Sequence, residues 1–474
     1  MESLPKIPAL VASTTNTFCF SIDESRRRER VLQDANTYPN YDTATSNSVE
    51  DGAESNYFKS AQWQAQTPRL QPHQDIQLTA SRTSEGTSLI TSSADNTIRT
   101  FILPPDLLSS PSSITLTPYT SHASATSINC LTTYPHFSLQ DTSTTLYLST
   151  PTDLPIRLQN CLSTSNTPLS TYNLISPTTE AYLTPSSILW STPGTHFLTG
   201  TDCLIALFDV SRNGEGPVSR MPTIPSKRHK IKGGGVGMRG IVSTLSHQPT
   251  SAEHGDGMLA AGTWTRWVGL YDRGGLGGMV STWSIAEAAD KDAGIGGTGI
   301  TQTFWSACGR YLCVVERKSG GVLVYDVRVT GKLVAWLEGR EADTNQRLGV
   351  DVFEAAGGME IWAGGTDGVV RVWEEVGKTE GAVERSWEWN AHQDPIGSTV
   401  VHNSGTVVAT CSGQRSIAEF GSGTDSDTSS SEEEDNEEDN EDSSPNSSID
   451  GDSPAHSFRA PSRVPDNSIK LWSL

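Results

Sequence analysis

Two short polar runs, Thr344-Asn-Gln-Arg347 and Ser412-Gly-Gln-Arg415, each end on an arginine preceded by amide side chains. A guanidinium can fork two hydrogen bonds to a phosphate or lie flat on an unpaired base, and amides can read base edges. Arg347 and Arg415, with Asn345, Gln346 and Gln414, are therefore candidates for nucleic-acid contact. The same arginines can instead bond carboxylates or loop carbonyls inside the fold, and the sequence leaves that alternative open. Two denser basic runs, Arg26-Arg-Arg-Glu-Arg30 and Lys227-Arg-His-Lys-Ile-Lys232, read either as targeting or RNA-binding elements or as solvated faces. The second adds Lys227, Arg228, Lys230 and Lys232 to the candidate set.

Catalytic patterns are weaker. His392, Asp394 and Ser412 invite a hydrolytic reading, but no Gly-x-Ser-x-Gly elbow stands between a strand and a helix. Buried His, Asp and Ser/Thr groups also serve as hydrogen-bond pins between loops and strands, and that is the reading adopted. Gly235/Gly237/Gly240 and Gly294/Gly296/Gly299 match Gly-x-Gly-x-x-Gly, yet each leads into a strand where a dinucleotide site needs a helix. Gly331-Lys332 lacks the phosphate-loop spacing. Seven cysteines (19, 130, 161, 203, 308, 313, 411) form no Cys-x-x-Cys pair and have no histidine at finger spacing. No enzyme activity, metal, cofactor or small-molecule substrate is expected, and the thiols read as reduced, mostly buried groups of an intracellular protein.

The elements that must position these residues repeat. Ile361 to Trp373 reads as two strands, IWAGG and VVRVW, joined by a turn at Thr366-Asp-Gly368, where Asp can bond its own backbone and Gly accepts positive φ. The same grammar, closing on an aromatic, recurs at Phe101, Phe208, Tyr271, Tyr325 and Trp472, and a degenerate copy lies at Leu146 to Leu158. With the polar run 422–466 set aside, this gives about seven units of roughly 40 to 60 residues, the period of WD-type blades. The expected fold is all-β, a single-domain seven-bladed propeller over residues 57–474. Residues 1–12 read as a flexible tail, 13–22 as the ring-closing strand (the apolar run being 16–22), and 23–56 as a polar, disordered linker.

Charge is concentrated. The eleven carboxylates between Asp425 and Asp442 account for about half of the formal net charge of −21, and no base interrupts them. That stretch, within an insertion over 421–465 of the last blade, is predicted to be disordered because its charges repel and nothing apolar compensates. Ser429, Ser430 and Ser431 each have Glu three residues later, so they are candidate phosphorylation sites. The mildly acidic remainder exerts no general pull on a polyanion, so RNA contact would need a local basic patch. No window approaches the roughly 20 apolar residues of a membrane span, and Ile7–Ala12 is too brief for a secretory core.

Four segments together resemble the telomerase Cajal-body WD-repeat protein family: Tyr57-Phe-Lys-Ser-Ala-Gln-Trp63; Thr91-Ser-Ser-Ala-Asp-Asn-Thr-Ile-Arg99 followed by Leu103-Pro-Pro-Asp-Leu107; Thr344 to Arg347; and Ala409-Thr-Cys-Ser-Gly-Gln-Arg415. An acidic insertion after Ser-Gly-Gln-Arg is also similar, while blades 2 to 5 match weakly. The resemblance implies a propeller that binds H/ACA-type small Cajal-body RNA or telomerase RNA and directs the ribonucleoprotein to nuclear bodies, with a diverged branch tied to splicing. It implies a nuclear, partly cytoplasmic adaptor whose partners are small nuclear ribonucleoprotein and other proteins on the propeller faces. A protein-only scaffold in a splicing, chromatin or ubiquitin-ligase assembly is the alternative.

Overall fold

The computed structural model describes residues 7–14, 58–63, 87–224, 237–249, 257–413 except 273, 274 and 276, and 466–474. They form seven antiparallel sheets arranged as the blades of a ring. From inside outwards (strands a to d), blade 1 comprises Phe58–Trp63, Ser88–Ser93, Thr97–Ile102 and Thr120–Ala123. Blade 2 comprises Ile128–Thr133, Leu146–Pro151, Ile156–Asn160 and Ser170–Tyr172. Blade 3 follows with Ser187–Trp190, His196–Thr201, Leu204–Asp209 and Ser219–Pro222. Blade 4 has Val242–His247, Leu259–Thr263, Trp267–Tyr271 and Met279–Ser284, and blade 5 has Ile300–Trp305, Tyr311–Glu316, Val322–Asp326 and Lys332–Leu337. Blade 6 has Val350–Ala355, Gly358–Gly364, Val369–Val376 and Trp387–Asn390. Blade 7 begins with Ile396–Val401, Val407–Ser412 and Ile469–Ser473.

No blade is stable alone, because a twisted four-stranded sheet must bury both faces. The buried side chains accordingly form seven clusters, one at each blade-to-blade junction. The strand-c aromatics that mark the repeat all lie in these seams: Phe101, Phe208, Tyr271, Tyr325, Trp373 and Trp472 are buried. Each described b–c turn also carries one residue with positive φ, namely Asn96, Asp153, Cys203, Arg266, Lys318 and Gly368. At Gly368 a Cβ would stand 2.2 Å from the His392 carbonyl oxygen, so glycine is required there for space as well as conformation.

The ring closes at blade 7 through the amino-terminal side of the chain, by a different segment from the one expected. Ala9–Ser13 pairs antiparallel with Ile469–Ser473, in the register Ala9 with Ser473 and Ser13 with Lys470. Thr14 extends the zip, its N–H donating to the Ile469 carbonyl at 3.1 Å and its hydroxyl accepting from Ile469 N–H at 3.1 Å. Residues 9–12 are thus a strand rather than a loose tail. Pro8 is compatible with it because it sits just before the strand, where no ladder donor is needed, and the pairing shifts register between Leu10 and Ala12. Residues 16–22, the linker 23–56 and the insertion 421–465 lie outside the described residues.

Two loops reach back onto the preceding blade. Ile114–Thr115, from the c–d loop of blade 1, pairs in parallel with Ala12 and Ser13, and Gly381–Val383, from that of blade 6, pairs in parallel with Ala335–Leu337 of blade 5. Both cover a sheet edge that would otherwise present unpaired N–H and C=O groups. The Leu103-Pro-Pro-Asp-Leu107 motif belongs to this device. Leu103, Leu107 and Leu116 are buried against Ala12 and Leu471 in the seam between blades 7 and 1.

Candidate nucleic-acid interface

In this topology the d–a connections and the b–c turns open on one face. Direct contacts verify it: Lys318 N–H, in the b–c turn of blade 5, donates to the Thr344 carbonyl at 3.2 Å, and Thr366 N–H, in that of blade 6, donates to Glu341 at 2.7 Å. Thr344 to Arg347 lies in the d–a connection 338–349, which is pinned from beneath by Arg340. That side chain is buried, donating from Nη2 to the Leu348 carbonyl at 2.9 Å and from Nε to the Gly364 carbonyl at 3.4 Å. Its Nη1 has no partner among the described residues. Burial, reinforced by neighbouring Arg371, pushes its pKa down to about 10, which leaves it charged at neutral pH. The loop carrying the candidate residues therefore rests on a cation held by carbonyl oxygens.

Above this support, Gln346 N–H donates to the Thr344 hydroxyl at 3.2 Å, a local turn that leaves Asn345 exposed and Gln346 half-buried. Arg347 reaches much further. Its Nη2 donates to the Ser186 carbonyl at 3.0 Å, immediately before the innermost strand of blade 3, so the guanidinium crosses the axial opening of the ring. It also comes beside Cys130 on the inner strand of blade 2, whose thiol is raised by desolvation while the guanidinium pulls it down. The loop-carbonyl alternative is thus realised for one N–H of Arg347. No carboxylate partners it among the described residues.

Gln414, Arg415, Lys227, Arg228, Lys230 and Lys232 lie outside the described residues, as do Ser429, Ser430 and Ser431. Their anchors are described. The chain leaves blade 7 at Gly413, whose N–H donates to Pro395 at 3.2 Å, and returns at Asp466, so that segment departs from a b–c turn. The segment holding 227–232 leaves after Ile224 and rejoins at Gly237, where Met238 N–H donates to Thr223 at 2.8 Å, within the d–a connection of blade 4.

The hydrolytic constellation dissolves in three dimensions. His392 Nε2 lies 2.7 Å from the Thr410 hydroxyl and Nδ1 lies 3.2 Å from Asp466 Oδ2, while the Trp472 indole N–H donates to the same Thr410 oxygen at 2.9 Å. Ser412 Oγ donates instead to the carbonyls of Asp394 and Pro395, both at 3.1 Å, so it has no base beside it. The expected buried pin exists: Thr410 and Asp466 partner His392, while the buried Asp394 carboxylate accepts from the Asp466 N–H and Ser412 bonds the Asp394 and Pro395 carbonyls. Burial alone would raise the Asp466 carboxyl, but its contacts with His392, Ser468 and Lys470 outweigh that and hold it well below the usual carboxylate range. Burial, opposed by the Asp466 bond, lowers His392 below the ordinary imidazole value. Unfolding therefore takes up a proton at this imidazole as pH falls through about 6.5, and its stabilising contribution, full above that pH, is lost below it. Melting temperature should fall between pH 7.5 and 5.5, with one proton contributing at most about 1.4 kcal/mol per pH unit. His392→Gln should flatten that slope in calorimetry, and an equally steep slope in the variant would assign the effect elsewhere.

Several groups on this face escaped the sequence reading. Arg317 and Lys318 occupy the b–c turn of blade 5, the same topological position as Ser412 to Arg415 in blade 7. The Arg317 guanidinium lies 4.8 Å over the Trp264 ring from the neighbouring turn. Arg266 is neutralised, bonding Glu316 at 2.7 Å and Asp290 at 2.8 Å. The Asp and Arg of Ser-Ala-Asp-Asn-Thr-Ile-Arg99 serve each other, as a buried Asp95–Arg99 pair that also engages Ser93.

No family model matches the chain. It is 29% identical over 240 residues to the guanine nucleotide-binding protein negative regulator 1 of Schizosaccharomyces pombe, covering 51% of this chain and 55% of that protein. Over 341 residues it is 26% identical to telomerase Cajal body protein 1 of Mus musculus, covering 71% and 58%, and over 340 residues 25% identical to that of Homo sapiens, covering 71% and 56%. The chain is a diverged WD-repeat relative of the telomerase Cajal body proteins. It spans a little over half the length of the curated relatives it matches. None of these names is that of an enzyme, and the telomerase Cajal body names attach their bearers to a nuclear body. Among the described residues no helix of the chain is long and apolar enough to cross a membrane.

Proposed function

We propose that this chain is a non-enzymatic WD-repeat adaptor that binds small nuclear RNA or its ribonucleoprotein, of the H/ACA small Cajal-body or telomerase class, and directs its assembly or nuclear localisation. The observation that carries the reading is Arg347. A half-exposed guanidinium without a carboxylate partner among the described residues sits over the axial opening beside Asn345 and Gln346, in a distant relative of telomerase Cajal body proteins. Gln414, Arg415 and the lysines and arginine of 227–232 join it, because their segments leave and rejoin the b–c/d–a face. The acidic run 425–442 is attached just past Arg415 and competes with RNA for these cations, and phosphate on Ser429, Ser430 or Ser431 strengthens that competition.

Immunoprecipitation of the chain from nuclear extract followed by RNA sequencing tests the class. Small nuclear RNAs should be enriched over a mock control, and their absence from the precipitate would overturn the reading. A protein-only scaffold is then the reading that survives, and the likeness to the Schizosaccharomyces pombe regulator favours it, since that name refers to no RNA.

A further inference from the structure

On the outer wall of the ring, the seam between blades 6 and 7 brings aromatic and acidic groups together. Trp362 on strand b of blade 6 and Trp387 and Trp389 on strand d turn towards blade 7, where Trp472 meets them. The indoles form a continuous ladder: Trp362 stands at 90° to Trp387 with centroids 5.2 Å apart, Trp389 stacks on Trp387 at 5.5 Å, and Trp472 lies 6.2 Å beyond Trp389. Trp362, Trp389 and Trp472 are buried, whereas Trp387, on the outermost strand, is half-buried. Packed by indoles on two sides, its ring is held in one orientation and keeps a flat portion open to solvent.

Two of these indoles each hold a carboxylate at the same place. Trp362 Nε1 donates to Glu360 Oε2 at 3.1 Å, and Trp387 Nε1 donates to Glu374 Oε1 at 3.0 Å. The other oxygen of each carboxylate is unpartnered, and neither has a cation beside it, among the described residues. Basic side chains nearby in sequence are engaged elsewhere: Lys378 pairs with Glu375, and Arg371 and Arg385 pair with Glu388 on the opposite face of strand d. Partial burial, together with the Glu374 charge and against the bond from Trp362, raises the Glu360 carboxyl above its ordinary value. The buried Trp389 Nε1 also lacks an acceptor among the described residues. Two carboxylates on an indole wall without a counter-ion form an arrangement that a cation from outside completes.

The backbone here is open as well. Blades 5 and 7, on either side, each carry a fifth strand at the outer edge, Gly381–Val383 and Ile114–Thr115, whereas the Trp387–Asn390 edge of blade 6 has none among the described residues. We propose that this seam docks an extended, arginine-bearing peptide of a partner protein. The peptide backbone runs along the edge of Trp387–Asn390 as a fifth strand, and one arginine lies flat on the Trp387 indole and forks to the free oxygens of Glu360 and Glu374. Charge selects the occupant. The two carboxylates repel a nucleic-acid backbone, and a second copy of this chain would bring a surface of the same net sign, −21 over the sequence. A guanidinium suits the site better than an ammonium because it is planar, stacks on an indole and presents paired donors. The inference does not depend on the RNA-binding reading, since the seam lies on the outer strands, away from the axial opening.

The test uses the full chain and a short labelled peptide of alternating threonine and valine with a single central arginine, beside matched peptides with lysine or glutamine at that position. Affinity is read by fluorescence anisotropy at fixed salt. The arginine peptide should bind about ten-fold more tightly than the glutamine peptide, with lysine between them. Glu360→Gln combined with Glu374→Gln keeps an acceptor for each indole N–H while removing both charges, and Trp387→Leu removes the stacking surface. Each should weaken binding of the arginine peptide about ten-fold. Should Trp387→Leu lower the melting temperature, the double glutamine variant decides alone, because it relieves a repulsion and should melt no lower than wild type. Attraction of the peptide to the acidic run 425–442 would leave that variant at wild-type affinity, and this result overturns the site. Equal affinity for the arginine peptide and either of the others, or no binding of any, also overturns it. Self-association of the chain that the double variant abolishes would give the seam to a second copy and overturn the peptide.

Discussion

Deleting residues 1–14 should lower the melting temperature by about 5 °C or more, on the estimate that a closing strand contributes roughly 3–5 kcal/mol through its ladder bonds and buried apolar surface. Ala9–Ser13 is the partner of Ile469–Ser473 on one side and of Ile114–Thr115 on the other. Its loss exposes the edge of the last blade and opens the packing of Leu103, Leu107 and Leu116 against blade 7. Ala12→Asp, which would bury a carboxylate at a fully buried position, should reproduce most of the effect within the intact chain. A synthetic peptide of residues 7–14 added to the truncated protein should recover part of the lost stability. Unchanged thermal melting of both variants would mean that the ring does not depend on this strand.

The second large effect is expected at Arg347. Arg347→Ala should weaken RNA binding by about ten- to a hundred-fold, the range of one charge-assisted contact, and combination with Arg415→Ala should weaken it further. Because Arg347 also donates to the Ser186 carbonyl, affinity must be read beside the melting temperature. A guanidinium used only to tie blade 6 to blade 3 would show a lowered melting point with unchanged affinity for RNA, and that result would remove the site. Excising 425–442 should tighten binding, most at low salt, where eleven carboxylates compete least screened with phosphate. Equal affinity with and without that segment would leave it no role at the face.

How much of this was legible depended on which residues announce themselves. Asp367-Gly368 and Asp95-Asn96 spell turns, and the buried aromatics that end the c strands mark the period, so the seven units could be counted. The outer strands could not, because Ser170–Tyr172 is only three residues long and Ser219–Pro222 is short and mostly exposed, so neither has an alternation to read. Closure was assigned to the right side of the chain but to residues 16–22, whose aromatics alternate with polar residues, whereas Ala9–Ser13 is a short, largely apolar run without alternation. At the candidate site, topology was enough to bring Thr344 to Arg347 to the b–c face. Arg317, Lys318 and Trp264 went unnoticed because Arg266 and Lys318 hold left-handed turn positions that sequence assigns to glycine or asparagine. That Arg340 is buried without a carboxylate is a property of the packed loop alone.

Blade 7 draws on four separated pieces of chain, residues 9–13, 114–115, 396–412 and 469–473. Thr14 and Ile469, which bond each other, are 455 positions apart in sequence. During vectorial synthesis the amino-terminal strand must therefore wait, unpaired, while six blades are made and stacked, and ring closure is confined to the end of elongation. At about 5–20 residues per second that interval is roughly 20 to 90 seconds, far longer than local hairpins need to form. Throughout it, the nascent chain offers an open β edge at each end of an incomplete ring. Such an intermediate is a natural client for a chaperone that shields strand edges, and crowding of nascent chains on one message would favour closure of one molecule's ring with a neighbour's amino-terminal strand.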